Sequence, residues 1–257
     1  MRYSYNYSCF QPLKFFQEVK MEFITSHPLY FLLGIAGVFT FFWLFAFRRR
    51  LRAKWYALLI ISVLHIFVGV LFVKLFAFLE SPGEGYKGAM SLFGAVFFMP
   101  LTYFAGAKIF KRDIREVFDL FAVPLLFTLA CARVNCLFSG CCKGQIIPFI
   151  TSHTVRWPTR ETELVFYAIL LTVFIVTIIK KKNFGQLYPL YMTTYGVFRF
   201  IIEFFRVTET SRTAGLFHLA HLWAVVSFCI GAGILFELIY IKNSKRKKKN
   251  KRKKNHV

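Results

Sequence analysis

The sequence predicts an all-α, polytopic membrane protein with about seven transmembrane helices. Hydrophobic residues make up 57% of the 257-residue chain, 34 of them Phe, and the mean hydropathy is +0.53. Both values lie above the range of water-soluble domains. The second observation is the pattern along the chain. Seven apolar runs are separated by connectors that are alternately rich and poor in basic residues. Because lipid-facing helices accept apolar side chains on every face, this composition suits lipid better than a water-soluble core.

The seven apolar runs define a predicted transmembrane domain at residues 28–241. Each is long enough to cross the ~30 Å hydrocarbon layer of a bilayer. They lie at 28–47, 56–79, 89–109, 117–137, 163–179, 187–205 and 217–241. Residues 1–27 lack the order of regions that marks a cleavable signal peptide, so we expect an extracytoplasmic N-terminal segment followed by a first helix that acts as the insertion signal.

The basic connectors predict the topology. They follow the first, third, fifth and seventh runs, at Arg48–Lys54, Lys108–Arg115, Lys180–Lys182 and Lys242–Lys254. The other connectors carry fewer positive charges, and the longest of them, 138–162, is expected to fold back against the membrane surface. The positive-inside rule therefore places the N-terminus outside and the tail, 242–257, in the cytoplasm.

The formal net charge of +22 admits two interpretations. In a soluble protein it would suggest nucleic-acid binding. Here the basic residues cluster between apolar runs and in the tail, so they indicate topology and attraction to anionic lipid headgroups, and no nucleic-acid partner is expected. Residues 244–255 are almost all Lys, Arg and Asn, which predicts disorder because they have no apolar surface to bury.

Charged residues inside the sixth run are the first candidates for a functional site. Arg199 and Glu203 are four residues apart and therefore share one helix face. An Arg at bilayer depth costs ~2.5–3.5 kcal/mol on insertion scales, so it should face the protein interior and have a partner. The pair is either a structural ion pair or a phosphate site in which Glu203 orients the guanidinium. Arg206 lies nearer the outer boundary, where its side chain can also extend to lipid headgroups.

The fourth run ends in a second candidate segment. Arg133 lies near its outer end, so Arg133 and Arg199 both belong to the outer half of the membrane and can converge on one anionic headgroup. Asn135 and Ser139 would supply neutral hydrogen-bond donors. The glycines that follow, Gly140 and Gly144, would let backbone approach a ligand closely.

Four cysteines, Cys131, Cys136, Cys141 and Cys142, fall in the same segment and leave several interpretations open. The last three are candidates for a soft-metal site, but their spacing fits no standard zinc pattern, so neither a metal nor a cofactor is expected. A disulfide, buried apolar fillers and a reactive thiol are the alternatives.

These segments resemble those of the prolipoprotein diacylglyceryl transferase family of bacterial membrane enzymes. The segment from Arg133 to Gly144 is similar to the family signature, and the segment from Tyr195 to Arg206 is similar to the Tyr-Gly, Arg-Phe, Glu and Arg pattern of its penultimate helix. Trp157-Pro158-Thr159 with Glu163 matches the segment that leads into the fifth helix, and Gly88–Ala95 is more weakly similar.

The resemblance implies a seven-helix protein of the bacterial cytoplasmic membrane. Its reaction would move diacylglycerol from phosphatidylglycerol to the lipobox cysteine of a preprolipoprotein and release glycerol phosphate. The expected catalytic residues are Arg133, Arg199 and Glu203. The expected substrate-binding residues are Ser139, Gly140, Gly144, Glu163, Tyr195, Arg206 and His221.

The chain departs from the family pattern at three positions. Phe93 stands where the family usually has a His thought to help activate the thiol, and Cys136 and Cys141 replace an Asn and an acidic residue. Arg133 or Arg199 would then lower the thiol pKa electrostatically, or His221 would act from the seventh helix. His221 and His218 are also candidates for structural hydrogen bonds.

These departures leave two other functions open. One is a non-catalytic lipid-binding or accessory membrane protein of the same fold, which the loss of the His favours. The other is a protein that handles thiols or metals through Cys136, Cys141 and Cys142.

Overall fold

The computed structural model describes residues 28–80, 90–146, 156–180, 185–206 and 219–254, without the side chains of 242 and 245–254. These residues form helices α1 (Pro28–Ala46), α2 (Arg48–Leu51), α3 (Trp55–Glu80), α4 (Phe93–Ile109), α5 (Ile114–Ser139), α6 (Thr159–Ile179), α7 (Leu187–Glu203) and α8 (Leu219–Lys254). The described segments contain no named strand, only two isolated antiparallel bridges, Gly144 with Arg206 and Ile146 with Arg156.

The seven long helices correspond to the seven predicted runs. Their ends agree with the predicted ends to within four residues, with one exception. The predicted disorder of 244–255 is wrong as far as Lys254, because α8 continues through the basic tail. Lys and Arg are good helix formers, extending an existing helix needs no new nucleus, and cations at a helix C-terminus interact favourably with its dipole. Residues 1–27, Gly88, Ala89, His153 and His218 lie outside the described residues.

The helices have the length and composition of membrane spans. Five segments qualify by both measures: α1, α3, α5, α6 and Leu219–Ile241 of α8. Helix α4 is apolar but has 17 residues, and α7, also 17 residues long, carries the buried Arg199 and Glu203. The predicted all-α, multi-pass membrane fold is confirmed.

The basic connectors meet at one end of the bundle. Arg50 pairs with Glu116 at 2.7 Å, and Arg112 donates to the Arg52 carbonyl at 3.4 Å, which joins the connectors after α1 and α4. The buried carboxylate of Asp119 accepts the Leu187 backbone N–H at 3.0 Å, and that of Gly185, at the start of α7. Asp119 thereby satisfies backbone donors that the first turn of α7 leaves open.

Helix α5 is the most buried of the five membrane spans, since 61% of its most apolar 18 residues are buried compared with 17% for α1. Its N-terminus is capped by Asp113, which accepts the Arg115 N–H at 3.0 Å. Helices α7 and α8 pack closest to each other. A Cβ on Gly196 would lie 2.6 Å from the Ala224 carbonyl oxygen, so only Gly permits this approach.

An apolar cavity of about 650 Å³ lies between α3, α4 and α5 at the end with the basic connectors. His65 and Tyr103 face it, with 3.4 Å between Nδ1 and the phenolic oxygen. The buried charges of α6 and α7 do not line this cavity.

Candidate active site

Four buried charges from three helices form one network at the opposite end. Arg133 lies on the last turns of α5, Glu163 on the first turns of α6, and Arg199 with Glu203 at the end of α7. Each is at most 6% exposed. Charges this deeply buried must be paired, since isolated ions are strongly disfavoured in a low-dielectric interior.

Glu163 joins the two arginines that the sequence placed in the outer half of the membrane. Its Oε1 accepts from Nη1 of Arg199 at 2.9 Å, while its Oε2 pairs with Nε of Arg133. Each guanidinium therefore contacts a different oxygen of one carboxylate. The sequence did not indicate this bridging position of Glu163. The available signal was an acidic residue at the entrance of an apolar helix.

Glu203 extends the network along α7. Its Oε2 lies 2.7 Å from Nη2 of Arg199, one helical turn before it, and 3.8 Å from Nη1 of Arg206. The predicted partnership of Arg199 and Glu203 is therefore present, with Glu163 as a second acidic partner. Arg206 points to protein groups here, since its Nη2 also donates to the Cys142 sulfur at 2.7 Å.

The loop segments next to the network are fixed to each other by backbone contacts. The Gln145 N–H donates to the Phe205 carbonyl at 2.8 Å, and the Trp157 N–H donates to the Gln145 carbonyl at 2.9 Å. A Cβ on Gly144 would lie 2.1 Å from the Trp157 carbonyl oxygen. The backbone that approaches Gly144 is thus the protein's own, whereas we expected a ligand there.

Buried tyrosines lie next to the network, and two of them, Tyr167 and Tyr195, interact electrostatically with both arginines. Tyr195 on α7 stacks on Tyr167 of α6 and packs against Tyr191, with ring centroids 6.4 and 5.5 Å apart. The hydroxyls of all three, together with Nε of Arg199, are buried and have no hydrogen-bond partner among the described residues. Donors of this kind are costly unless something accepts from them, so they suit a ligand rich in acceptor oxygens.

Glu80 is a further charged residue near the network that the sequence did not single out. It ends α3, lies beside Ser91 and Trp223, and is close enough to Arg199 and Glu203 to interact with both electrostatically. Its position at the boundary of an apolar run led us to place it in a connector.

Comparison with known proteins identifies the family. The family model described as prolipoprotein diacylglyceryl transferase matches residues 23–237, which is most of the chain. The chain belongs to the prolipoprotein diacylglyceryl transferase family.

Relatives in three bacteria carry the name phosphatidylglycerol–prolipoprotein diacylglyceryl transferase. The relative in Dehalococcoides mccartyi is 24% identical over 198 residues, covering 69% of this chain and 75% of its own length. The relative in Pasteurella multocida is 29% identical over 164 residues, 60% of each chain. That in Chlorobaculum tepidum is 29% identical over 161 residues, 57% of this chain and 54% of its own.

Phe93 packs against Tyr195 and against Arg199 of the charge network. It stands at the position where the family resemblance led us to expect a His. Its ring lies 5.6 Å from that of Tyr195, edge to face, and the Arg199 guanidinium carbon is 6.0 Å from its centroid. A cation over an aromatic face is stabilised by ~0.5–2 kcal/mol. Phe93 therefore supports Arg199 but provides no proton acceptor.

The structure does not bring every expected residue into the network. Ser139 is exposed at the last turn of α5, and Gly140 ends that helix with a left-handed φ of 66°. His221 on α8 is buried against the rings of Phe200 and Phe204, with centroids 5.1 and 4.6 Å away. Asn135 lies on α5, where its Oδ1 is buried without a hydrogen-bond partner among the described residues.

The cysteines divide by environment. Cys131 is buried and fits the filler interpretation, whereas Cys141 is exposed and Cys136 and Cys142 are half-buried. The described cysteines are all unpaired. The sulfur atoms of Cys136, Cys141 and Cys142 lie within 4.8 Å of one another, so the structure assembles the three thiols that the sequence only places nearby.

Cys142 follows α5, outside the membrane-spanning helices, and the pKa of its thiol is lowered. A hydrogen bond from Cys136 and the positive charges of Arg206 and Arg133 lower its pKa to about 4, although burial acts in the opposite direction. Burial instead raises the pKa of Cys141.

Proposed function

We propose that this protein transfers the diacylglyceryl group of phosphatidylglycerol to the thiol of a prolipoprotein cysteine at the outer face of the membrane. Membership of the family and the names of its relatives supply the activity. The observation that assigns this activity to particular residues is that Arg133 and Arg199 both pair with the buried carboxylate of Glu163.

The donors of the network suit a phosphodiester. Its three guanidinium groups pair with two carboxylates, and Arg206 also contacts the Cys142 sulfur, so Arg133 and Arg199 are the cations closest to an anionic ligand bound at Glu163. A phosphodiester carries one negative charge, and a guanidinium presents paired donors that fit two phosphate oxygens. Nε of Arg199 and the hydroxyl of Tyr195 are further donors available to the phosphate.

The reaction breaks one bond and forms one. The acceptor sulfur attacks the glyceryl carbon attached to the phosphate oxygen, so a carbon–sulfur bond forms and the carbon–oxygen bond breaks. Glycerol phosphate leaves with the bonding electron pair and gains negative charge. Arg133 and Arg199 stabilise that charge in a low-dielectric site, which is the main catalytic contribution we assign to them.

Glu163 and Glu203 act as positioning residues. Glu163 fixes the spacing of the two arginines, and Glu203 holds Arg199 and Arg206 on one face of α7. Preorganisation of this kind avoids reorienting charges during the reaction. The thiol proton is lost to water in the positive field of the arginines, since Phe93 supplies no base.

The membrane orientation follows the basic connectors. We place the end with the basic connectors in the cytoplasm and the charge network in the outer leaflet. The basic part of α8 would then lie against anionic headgroups of the inner leaflet. Phosphatidylglycerol reaches the network laterally between helices, and the prolipoprotein reaches it from the exterior.

The test is transfer by the purified protein. The full chain, reconstituted with labelled phosphatidylglycerol and a lipobox peptide, should produce diacylglyceryl peptide. Arg199→Ala should abolish transfer while the protein stays inserted. Arg199→Lys should keep only a small fraction of the activity of the unmodified protein, because Lys lacks the paired donors. Arg50→Ala, which breaks an ion pair at the other end, is the matched control. Full activity of Arg199→Ala would remove Arg199 from the mechanism.

A second candidate, a non-catalytic lipid-binding protein, is favoured by Phe93, whose ring occupies the place of a base. Retention of phosphatidylglycerol by the purified protein, without transfer to any thiol peptide, would select it. Depletion of the protein in cells would then leave lipoprotein processing intact.

A further inference from the structure

The thiols around Arg206 have no role in the proposed transfer. Cys136 comes from the last turn of α5, and Cys141 and Cys142 lie two and three residues after its end. Their sulfur atoms lie within 4.8 Å of one another, next to the charge network. Cys141 is exposed, and Cys136 and Cys142 are half-buried, so small reagents can reach them.

Cys142 is the nucleophilic member of the three. Its sulfur accepts from Nη2 of Arg206 at 2.7 Å and from Nη1 of Arg133 at 4.0 Å. Two guanidinium groups stabilise a thiolate over a thiol, and the thiolate is the reactive form. The backbone of Cys142 also adopts a left-handed φ of 57°, a conformation that non-Gly residues adopt at a cost and that often occurs at functional positions.

Cys136 is placed to complete a disulfide with Cys142. Its sulfur lies within 4.8 Å of the Cys142 sulfur, so the two atoms are neighbours. The Cys141 thiol instead points to the Cys136 carbonyl oxygen, 4.0 Å away. A stabilised thiolate beside a second thiol is the arrangement of residues that react with disulfides and then resolve the mixed product.

We propose that Cys142 and Cys136 form a redox-active dithiol that reacts with exogenous disulfides of thiol compounds. The Cys142 thiolate attacks one sulfur of the disulfide, a mixed disulfide forms, and one thiolate leaves. The Cys136 sulfur, after losing its proton to water, attacks the Cys142 sulfur and expels the second thiolate. The external disulfide is thus reduced to two thiols, and Cys136 and Cys142 are oxidised to one disulfide.

A soft-metal site is the competing use of the same three sulfurs. Their spacing would admit a metal ion with three thiolate ligands. The guanidinium groups of Arg206 and Arg133 argue against it, because they direct positive charge at the sulfur that would have to bind a cation. The dithiol chemistry does not require the transferase activity, so the two can succeed or fail separately.

The experiment follows thiol release and mass. The reduced full chain in nanodiscs is mixed with 2,2′-dipyridyl disulfide near neutral pH. Two molecules of pyridinethione should be released rapidly per protein. The first leaves when Cys142 forms the mixed disulfide, and the second leaves when Cys136 attacks that disulfide, so no pyridyl adduct remains on either residue. Peptide mapping should find a Cys136–Cys142 disulfide. A disulfide at any other pair, or a fast phase that maps to Cys141 or Cys229, would overturn the proposal.

Three variants separate the steps. Cys136→Ser should release one pyridinethione and retain a pyridyl adduct on Cys142, and Cys142→Ser should lose the fast phase. Cys141→Ser is the matched control, one residue from Cys142, and should behave as the unmodified protein. A tightly bound metal ion that is lost in Cys142→Ser and blocks the fast phase would refute the dithiol in favour of a metal site. Mapping of the unmodified chain needs no variant, so poor folding of one variant does not prevent the test.

Discussion

Arg199 on α7 donates from Nη1 to Oε1 of Glu163 on α6, across 2.9 Å in the buried part of the bundle. The two residues are 36 positions apart in the chain. Because the other oxygen of Glu163 pairs with Arg133, this one contact sets the relative position of both arginines.

Glu163→Gln should reduce both stability and transfer. Removing one partner of a buried ion pair costs ~3–5 kcal/mol because it leaves buried charge unbalanced. A shift of ~1 Å in a catalytic group can cost ~100-fold in rate, and we expect a loss of that order. Thermal unfolding in nanodiscs and the transfer assay measure the two effects. Glu161→Gln, on the same turn of α6 in an exposed pair with Arg160, should change neither.

Tyr195→Phe tests whether the buried hydroxyl serves the substrate. Since this hydroxyl has no partner among the described residues, its removal should not lower the unfolding temperature. If it donates to phosphate, kcat/KM should fall ~10-fold, the effect of one lost hydrogen bond to a charged group. Tyr188→Phe is the control. It loses a bond to the Val96 carbonyl at 2.8 Å and should cost stability without changing kcat/KM. Unchanged kinetics in Tyr195→Phe would assign its hydroxyl no part in binding.

Phe93→His should increase the rate of transfer and change its pH dependence. A His beside Arg199 is held neutral by the nearby positive charge and can accept the thiol proton. Transfer should therefore rise, and the gain should persist at pH values below ~6.5, the ordinary pKa of His, because the positive charge lowers that pKa. Phe97→His, one turn further with ring centroids 6.0 Å from Phe93, is the control and should give no gain. An equal pH profile in both variants would show that proton acceptance is not limiting.

Asp119→Asn should destabilise the protein more than Asp113→Asn. Asp119 is buried and accepts two backbone N–H groups at the start of α7, whereas Asp113 caps α5 at the exposed surface. Loss of a cap costs ~0.5–2 kcal/mol, and the buried position should lie at the upper end of that range. Thermal unfolding of the two variants measures the difference. A larger loss in Asp113→Asn would contradict the proposed role of Asp119.

Alkylation of Cys142 by iodoacetamide should depend little on pH between ~5 and 8. Its folded pKa of about 4 keeps the thiolate populated across this range. The groups that face it are Arg206, Arg133, Cys136 and Cys141. The pKa of Cys141 is raised by burial, so its alkylation rate should instead increase ~10-fold for each unit of rising pH over the same range. Quantitative mass spectrometry of the two sites gives both rates, and parallel pH profiles would contradict the prediction.

The lowered pKa of Cys142 also makes the stability of the fold depend on pH. A thiol whose folded pKa lies below its unfolded value stabilises the fold fully above the unfolded pKa, near 8.5. That contribution decreases as the pH falls and is lost near pH 4, the folded pKa. Cys142→Ser should therefore narrow the difference between unfolding temperatures measured at about pH 8 and pH 5. An unchanged difference would show that Cys142 does not contribute.

The sequence alone determined the properties that depend on local pattern. Apolar run length gave the seven long helices to within four residues at all ends but the last. Helical spacing gave the Arg199–Glu203 pair. The last helix extended further than predicted because continuation of an existing helix costs less than its polar composition suggested.

Only the tertiary structure decided which side chains meet across helices. Glu163 between the arginines, Cys142 on Arg206, Asp119 at the start of α7 and Phe93 against Arg199 all join distant parts of the chain. The reason is physical. A membrane helix is apolar on its lipid-facing and its protein-facing sides alike, so its sequence does not fix its rotation about its own axis. Packing against the neighbouring helices sets that rotation, and with it the residues that face one another.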